Sequence, residues 1–261
     1  SSDLQELELL KMLLEHNEVS IEEFQEDVSV EFGYLLDMNA IQNTIRILQG
    51  HFHINSAEHQ KYAQIDILKV NENKRIQRLN SFVSKLNESE FRKELKDIIS
   101  FGLHRYNDKY NQNKNQGVPF VLYEQYSRRD VCFLMNCEKD LSSVMYGMKR
   151  IEDDVFIFVT YHKKQTKDAS KKYVDGKPDY DDRFESNQIF CWDTQLGKGI
   201  NSSYSQSVIT ASRKHLMVQK RDRQIKFYYL GQFDILEVKP AKKLNQKGKE
   251  QDIAKFRVKM R

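Results

Sequence analysis

The apolar residues of this 261-residue chain change their period once, and the change limits what can be built on either side. Leu4, Leu7, Leu10, Met12, Leu13 and Leu14 recur at three- and four-residue steps, as one face of a helix requires. Ser20 followed by Glu23 has the form of a capping box, and Ile21, Phe24 and Val28 carry the stripe onward. Ile41, Ile45 and Leu48 make a further stripe closed by Gly50. Ile65, Leu68, Ile76, Leu79, Phe82 and Leu86 extend the helical reading, and Glu90 to Tyr106 is one more amphipathic helix. A polar, turn-forming segment then runs from Asn107 to Gly117, with Pro119 just beyond it.

After that linker the pattern becomes that of strands. Val155 to Tyr161 (VFIFVTY) is β-branched and aromatic and too short for a helix. Ser207 to Thr210, His215 to Val218, Ile225 to Leu230, Ile235 to Val238 and Ile253 to Val258 read as further strands. One helix is clear, Arg129 to Asn136, with Ser127 at the N-cap and Asp130 in the first turn. The chain is expected to be α+β: a helical domain over 1–110, then a sheet domain with one or two helices over 119–261.

Charge divides at the same place. Residues 1–118 hold 14 basic and 19 acidic side chains, net −5, and residues 119–261 hold 28 and 19, net +9. The sheet domain is the half suited to a polyanion. No apolar run approaches the roughly 20 residues that cross a bilayer, so no membrane partner is expected. The acidic start, SSDLQELELL, is unlike a signal peptide. Three cysteines cannot make a disulfide framework, and a cytoplasmic protein is the simplest expectation. With 3 prolines and 10 glycines, collagen-like and glycine-rich phosphate-loop readings are excluded.

Candidate chemistry is sparse. His51, His53 and His59 lack the further ligands of a four-coordinate zinc site, and Cys132 and Cys137 do not supply them, so no metal is expected. Asp222 with Glu237 and Lys239 has the residue types of a Mg²⁺-dependent nuclease, although Glu-x-Lys on a strand is equally a solvent face. The fuller constellation begins where VFIFVTY runs into His162, Lys163 and Lys164. A lysine-rich stretch with Lys167, Lys171 and Lys172 follows, then Tyr180-Asp181-Asp182-Arg183-Phe184, and then Phe190-Cys191-Trp192-Asp193-Thr194-Gln195. Flat rings beside a carboxylate are what a pocket for an extruded base needs: rings sandwich the base and an oxygen accepts its exocyclic amine. The lysines would meet flanking phosphates.

The ordered string of residues has a family likeness. It comprises Tyr123-x-x-Tyr126-Ser127-Arg128-x-Asp130-Val131, Tyr146-Gly147, Ile157 to Lys163, Tyr180-x-Asp182-x-Phe184, Phe190-x-Trp192-x-x-Gln195 and Tyr229-Leu230-Gly231. It resembles the C-terminal domain that follows a phospholipase-D-type nuclease and a superfamily 2 helicase in SauUSI-type ATP-dependent type IV restriction enzymes. The resemblance implies an SRA-like (PUA-like) fold, a twisted, partly barrel-like mixed sheet, reading 5-methylcytosine or 5-hydroxymethylcytosine in double-stranded DNA. The helical half would then couple this reader to the helicase. ATP and Mg²⁺ would belong to the helicase and nuclease parts, leaving this chain without catalytic residues or a cofactor. The full-length protein could dimerise.

SRA domains give a looser second likeness. By it, Tyr161 and Trp192 stack on the flipped base and Asp182 accepts from N4, with Asp181 or Asp193 as the alternative carboxylate. Phe190 and Tyr180 complete the pocket. A threonine stands before Tyr161 where SRA strands carry glycine, and the loop that follows is longer. Arg128, Arg129, Lys163, Lys164, Lys171, Lys172, Arg213 and Lys214 are the expected backbone or context contacts.

Overall fold

A computed structural model describes residues 3–33, 35–53, 56–110, 118–162, 173–174, 177–178, 180–221, 225–245 and 247–261. In chain order the first elements are α1 (Asp3–Glu15), β1 (Glu18–Ser20), α2 (Ile21–Phe32), α3 (Met38–Leu48), α4 (Ser56–Tyr62), β2 (Leu68–Val70), β3 (Arg75–Arg78), α5 (Asn80–Leu86) and α6 (Ser89–Tyr110). They are followed by β4 (Gln125–Ser127), α7 (Arg128–Leu134), β5 (Met148–Ile151), β6 (Asp154–His162), β7 (Tyr173–Val174), β8 (Lys177–Pro178), β9 (Arg183–Phe184) and β10 (Ile189–Asp193). The last are α8 (Ser203–Thr210), β11 (Arg213–Arg221), β12 (Lys226–Leu244) and β13 (Glu250–Met260). The chain is α+β, and no helix among the described residues is long and apolar enough to cross a membrane.

Two compact units are present, residues 1–121 with 129–141, and residues 122–128 with 142–261. In the first, Leu9, Leu13, Phe24, Val28, Ile41 and Ile45 form a core around α1, α2 and α3. The capping box is made: Glu23 N–H donates to Ser20 Oγ at 3.0 Å and Ser20 N–H to Glu23 Oε2 at 2.7 Å. The helical reading of Ile65 to Leu86 is corrected. Leu68 and Ile76 sit in β2 and β3 of a three-stranded sheet ordered β1-β3-β2, and only Phe82 and Leu86 are helical. Asn71 causes the break, since its Oδ1 accepts from the N–H groups of Asn73 and Arg75 and turns the chain, with Lys74 at φ 56°.

The second unit is built on an open mixed sheet ordered β5-β6-β11-β12-β13-β10-β9, with β4 added beside β12. Its two ends, β5 and β9, do not pair among the described residues, so the sheet does not close into a barrel. β6 and β11 are parallel and central. Every residue from Asp154 to Val159 is buried, which explains why that strand reads as a continuous apolar run instead of alternating. One face carries the main core of Ile157, Val159, Phe190, Trp192, Leu216, Phe233 and Phe256.

Two strand readings are corrected. Ser207 to Thr210 lies in α8, which Ser202 starts by accepting from Ser205 N–H at 3.2 Å. Ile225–Leu230 and Ile235–Val238 are not separate strands, because β12 runs unbroken for 19 residues. A bulge between Ile235 and Glu237 keeps Ile235 and Val238, three apart, on the same core cluster.

Candidate functional site

Around the ends of β10 the motifs quoted from the sequence come together. β9 pairs with β10, setting Phe184 opposite Phe190 and Arg183 opposite Cys191. Before β9 the chain runs on beside Asp193 with side chains in place of carbonyls: Asp193 N–H donates to Asp182 Oδ1 at 3.1 Å, and Asp181 N–H donates to Asp193 Oδ2 at 3.0 Å. Tyr180 closes the same corner, its hydroxyl accepting from Leu196 N–H at 3.2 Å.

The three carboxylates differ in what they face. Asp193 is buried and meets Lys243 Nζ at 2.7 Å and Lys255 Nζ at 3.8 Å. Asp181 pairs with Arg183 and lies 3.7 Å from Lys255; the Arg183 hydrogen bond holds its carboxyl below the usual range. Asp182 is half-buried, with Oδ1 on the Asp193 amide.

The aromatic residues form the wall behind them. Phe190 is fully buried with its ring 4.7 Å from that of Phe184. Trp192 is 4% exposed, 5.2 Å from the Phe256 ring and 6.3 Å from that of Tyr204 on α8. Tyr204 was not foreseen from the sequence. Its hydroxyl is buried and has no hydrogen-bond partner among the described residues, and burial pushes the phenol well up, with Tyr180 and Asp182 adding to the shift. Gly147, at φ 74°, lies against it, since a Cβ there would meet Gln195 Nε2 at 2.7 Å and the Tyr204 hydroxyl at 2.9 Å. Gln195 Nε2 also donates to the Tyr146 carbonyl at 3.2 Å. Thus Tyr146-Gly147, Tyr180-x-Asp182 and Phe190-x-Trp192-x-x-Gln195 share one corner. Tyr161 holds the next-to-last position of β6, two residues beyond Val159.

The remaining motifs meet elsewhere on the sheet. Tyr123 N–H donates to the Tyr229 carbonyl at 2.7 Å, and β4 pairs Tyr126 with Phe227. Gly231, at φ 106°, leaves room for Leu122, 3.0 Å from where a Cβ would stand. Arg128 lies over the rings of Phe227 (4.8 Å), Tyr146 (5.3 Å) and Phe158 (5.5 Å). Burial lowers its guanidinium pKa.

Two of the arginines expected on DNA are closed on carboxylates. Arg213 grips Asp154 through Nε at 2.8 Å and Nη2 at 2.6 Å. His215 Nε2 lies 2.6 Å from the same carboxylate and Nδ1 3.1 Å from the Tyr229 hydroxyl, a fully buried chain. A carboxylate only accepts, so Nε2 carries hydrogen and Nδ1 accepts from the tyrosine when the ring is neutral. Burial pushes the Asp154 carboxyl up, but the Arg213 and His215 hydrogen bonds outweigh it and hold the group at about 2.

In the other unit, Arg129 bonds Glu58 at 2.7 Å and Asp140 at 2.8 Å. His53, Glu58 and Asp140 offer ligand atoms within 4.8 Å of one another, and the Arg129 guanidinium is paired with both acids. Lys214 donates to the Ala211 carbonyl at 2.6 Å. Lys163, Lys164, Lys171 and Lys172 lie outside the described residues, as does Asp222. Glu237 and Lys239 pair at 2.8 Å on an exposed face.

Residues 120–261 match the family described as a domain of unknown function, DUF3427, and the chain belongs to that family. Residues 2–112 match a second domain of unknown function, DUF8090. No curated protein matches. Among solved structures, the chain is similar to Arabidopsis thaliana SUVH6 in complex with SAM, at 12% identity over 62% of this chain and 32% of that one, TM-score 0.34. It is also similar to the type IV phosphorothioation-dependent restriction endonuclease ScoMcrA, at 8% identity over 98% of this chain and 58% of that one, TM-score 0.37. A structure of the sulfur-binding and SRA domains of ScoMcrA with phosphorothioated DNA gives 8% identity over 98% and 82%, TM-score 0.31. The chain thus spans about a third of the length of SUVH6.

Proposed function

We propose that the second unit reads a modified cytosine in duplex DNA, taking the extruded base at the corner formed by Tyr146-Gly147, Tyr180-x-Asp182 and Phe190-x-Trp192-x-x-Gln195. The observation that carries this is a carboxylate and an unsatisfied hydroxyl in one corner, Asp182 and Tyr204. The edge of cytosine presents a donor, the N4 amine, next to an acceptor, N3. A carboxylate oxygen and a tyrosine O–H are its complement, whereas thymine presents the opposite order. In this reading Asp182 accepts from N4, Tyr161 stacks on the base, and Trp192 with Phe190 forms the floor. Asp193, already held by Lys243, serves as a brace.

A methyl group adds only about 0.8 kcal/mol of apolar burial, so discrimination rests on a close-fitting pocket. Extrusion costs a few kcal/mol, which phosphate contacts must offset. The basic balance of residues 119–261 supports such contacts, with Arg128, Lys214 and the lysines of 163–172 as contributors. The chain would serve as target recognition for a type IV restriction enzyme whose helicase and nuclease supply ATP- and Mg²⁺-dependent chemistry. Fluorescence anisotropy with matched duplexes carrying cytosine, 5-methylcytosine or 5-hydroxymethylcytosine at one site tests the reading. Tighter binding to a modified duplex supports it; equal binding to all three overturns it.

A further inference from the structure

β12 and β13 continue past the body of the sheet as a two-stranded ribbon. β10 pairs with Lys255 to Lys259 of β13, and the last backbone bridge on that side among the described residues joins Lys198 to Ile253, with Gly199 set against the Asp252 side chain. Beyond it Lys242, Lys243 and Leu244 face Asp252, Gln251 and Glu250 on the ladder, and no third strand joins them among the described residues. The tip is tightly turned: Asn245 N–H donates to the Lys249 carbonyl at 2.8 Å, Gly248 N–H donates back to the Asn245 carbonyl at 2.9 Å, and Asn245 Oδ1 accepts from the N–H groups of Lys247 and Lys249.

The ribbon is net positive. Residues 239–252, KPAKKLNQKGKEQD, contain five lysines against two acids, Glu250 and Asp252. Three of the five have acidic partners, Lys239 with Glu237, Lys242 with Glu250 and Lys243 with Asp193. The two at the tip, Lys247 and Lys249, are exposed and have no ion pair among the described residues. The ribbon is tied to the candidate site, since Lys243 also lies over the Tyr180 ring at 5.3 Å. From Lys255, the ladder partner of Asp193, to Glu250 is five residues, about 17 Å of strand at 3.4 Å per residue.

We infer that the ribbon tip is a second DNA contact, in which Lys247 and Lys249 bind phosphates flanking the base held near Asp182. A two-stranded ribbon has the width to lie in the major groove, and lysines set as point charges engage phosphates without reading sequence. The inference rests on the DNA-reading function proposed above for its partner. It adds a site that fixes the duplex and does not choose the base.

The test is the salt dependence of binding by the full chain and by Lys247→Gln/Lys249→Gln, with duplexes bearing 5-methylcytosine or cytosine. Each phosphate that is no longer neutralised makes the slope of log K against log salt shallower by about 0.9. The double variant is expected to lose close to two such steps, to bind both duplexes more weakly, and to keep the ratio between them. An unchanged slope, or a changed ratio, overturns the role of the ribbon. Wild-type protein that binds DNA without preferring the modified duplex overturns the base-reading proposal while leaving the slope to decide the ribbon. Wild-type protein that binds neither duplex overturns both. Both substitutions are on exposed positions, so an unchanged melting temperature is the control for folding.

Discussion

Lys243 Nζ stands 2.7 Å from Asp193 Oδ2, so the most buried acid of the candidate site takes its counter-charge from the base of the β12–β13 ribbon. Asp193 is 3% exposed in its side chain and Lys243 is 21% exposed. Removing one partner of a buried pair leaves a charge that water cannot reach. Lys243→Met is therefore expected to destabilise the second unit by about 3 kcal/mol, the more distant Lys255 keeping the loss at the low end of the range for buried pairs. Urea denaturation checks this, and Lys243→Met/Asp193→Asn should cost less than the two single changes added together.

Asp154 makes acid stability sensitive to one residue. Its folded pKa of about 2 lies below the usual carboxylate value, so its contribution is fully present above about pH 4 and is lost as pH falls toward 2. The depression corresponds to about 2 kcal/mol. Asp154→Asn should lower stability at neutral pH and flatten the acid limb of the stability curve between pH 4 and 2, read by denaturant midpoints at each pH.

Tyr204→Phe should separate stability from recognition. The ring keeps its packing beside Trp192, and the unpartnered buried hydroxyl is removed. Deleting an unsatisfied buried polar group is expected to raise stability by about 1 kcal/mol. If Tyr204 donates to the base, the preference for the modified duplex should fall at the same time. A more stable variant with unaltered preference would take Tyr204 out of the pocket.

Trp192 calls for a milder change than alanine. At 4% exposure in the main core, Trp192→Ala should cost about 3–5 kcal/mol, and a failure to bind would report unfolding. Trp192→Phe keeps an aromatic floor. It is expected to melt a few degrees lower and to bind modified DNA more weakly than wild type, by thermal melting and anisotropy on the same preparation.

The features legible in the sequence are those fixed by local chemistry. The Ser20–Glu23 box, the helix following Ser127 and the buried run of β6 each follow from a few adjacent residues. The motifs around β9 and β10, from Tyr180 to Trp192, lie close along the chain, whereas Tyr146-Gly147 reaches Gln195 from 49 residues away. What failed depended on partners distant in sequence. Leu68 and Ile76 look like steps of a helical stripe until Asn71 turns the chain between them. Val208, Ile209 and Thr210 have strand character, but Ser202 had already begun a helix. Tyr204 carried no motif, and Arg213 looked like a free cation because Asp154 lies 59 residues away.

The segment from Arg129 to Leu141 is the part of the architecture with the longest reach. It follows β4, which belongs to the second unit, yet it is counted with the first, where the Phe133 ring stacks on Phe52 at 4.3 Å and Asn136 accepts from Asn43. The polypeptide therefore passes between the units three times, although its two family matches meet only once, between residues 112 and 120. A cut at that junction would therefore part the first unit from thirteen residues that are folded into it.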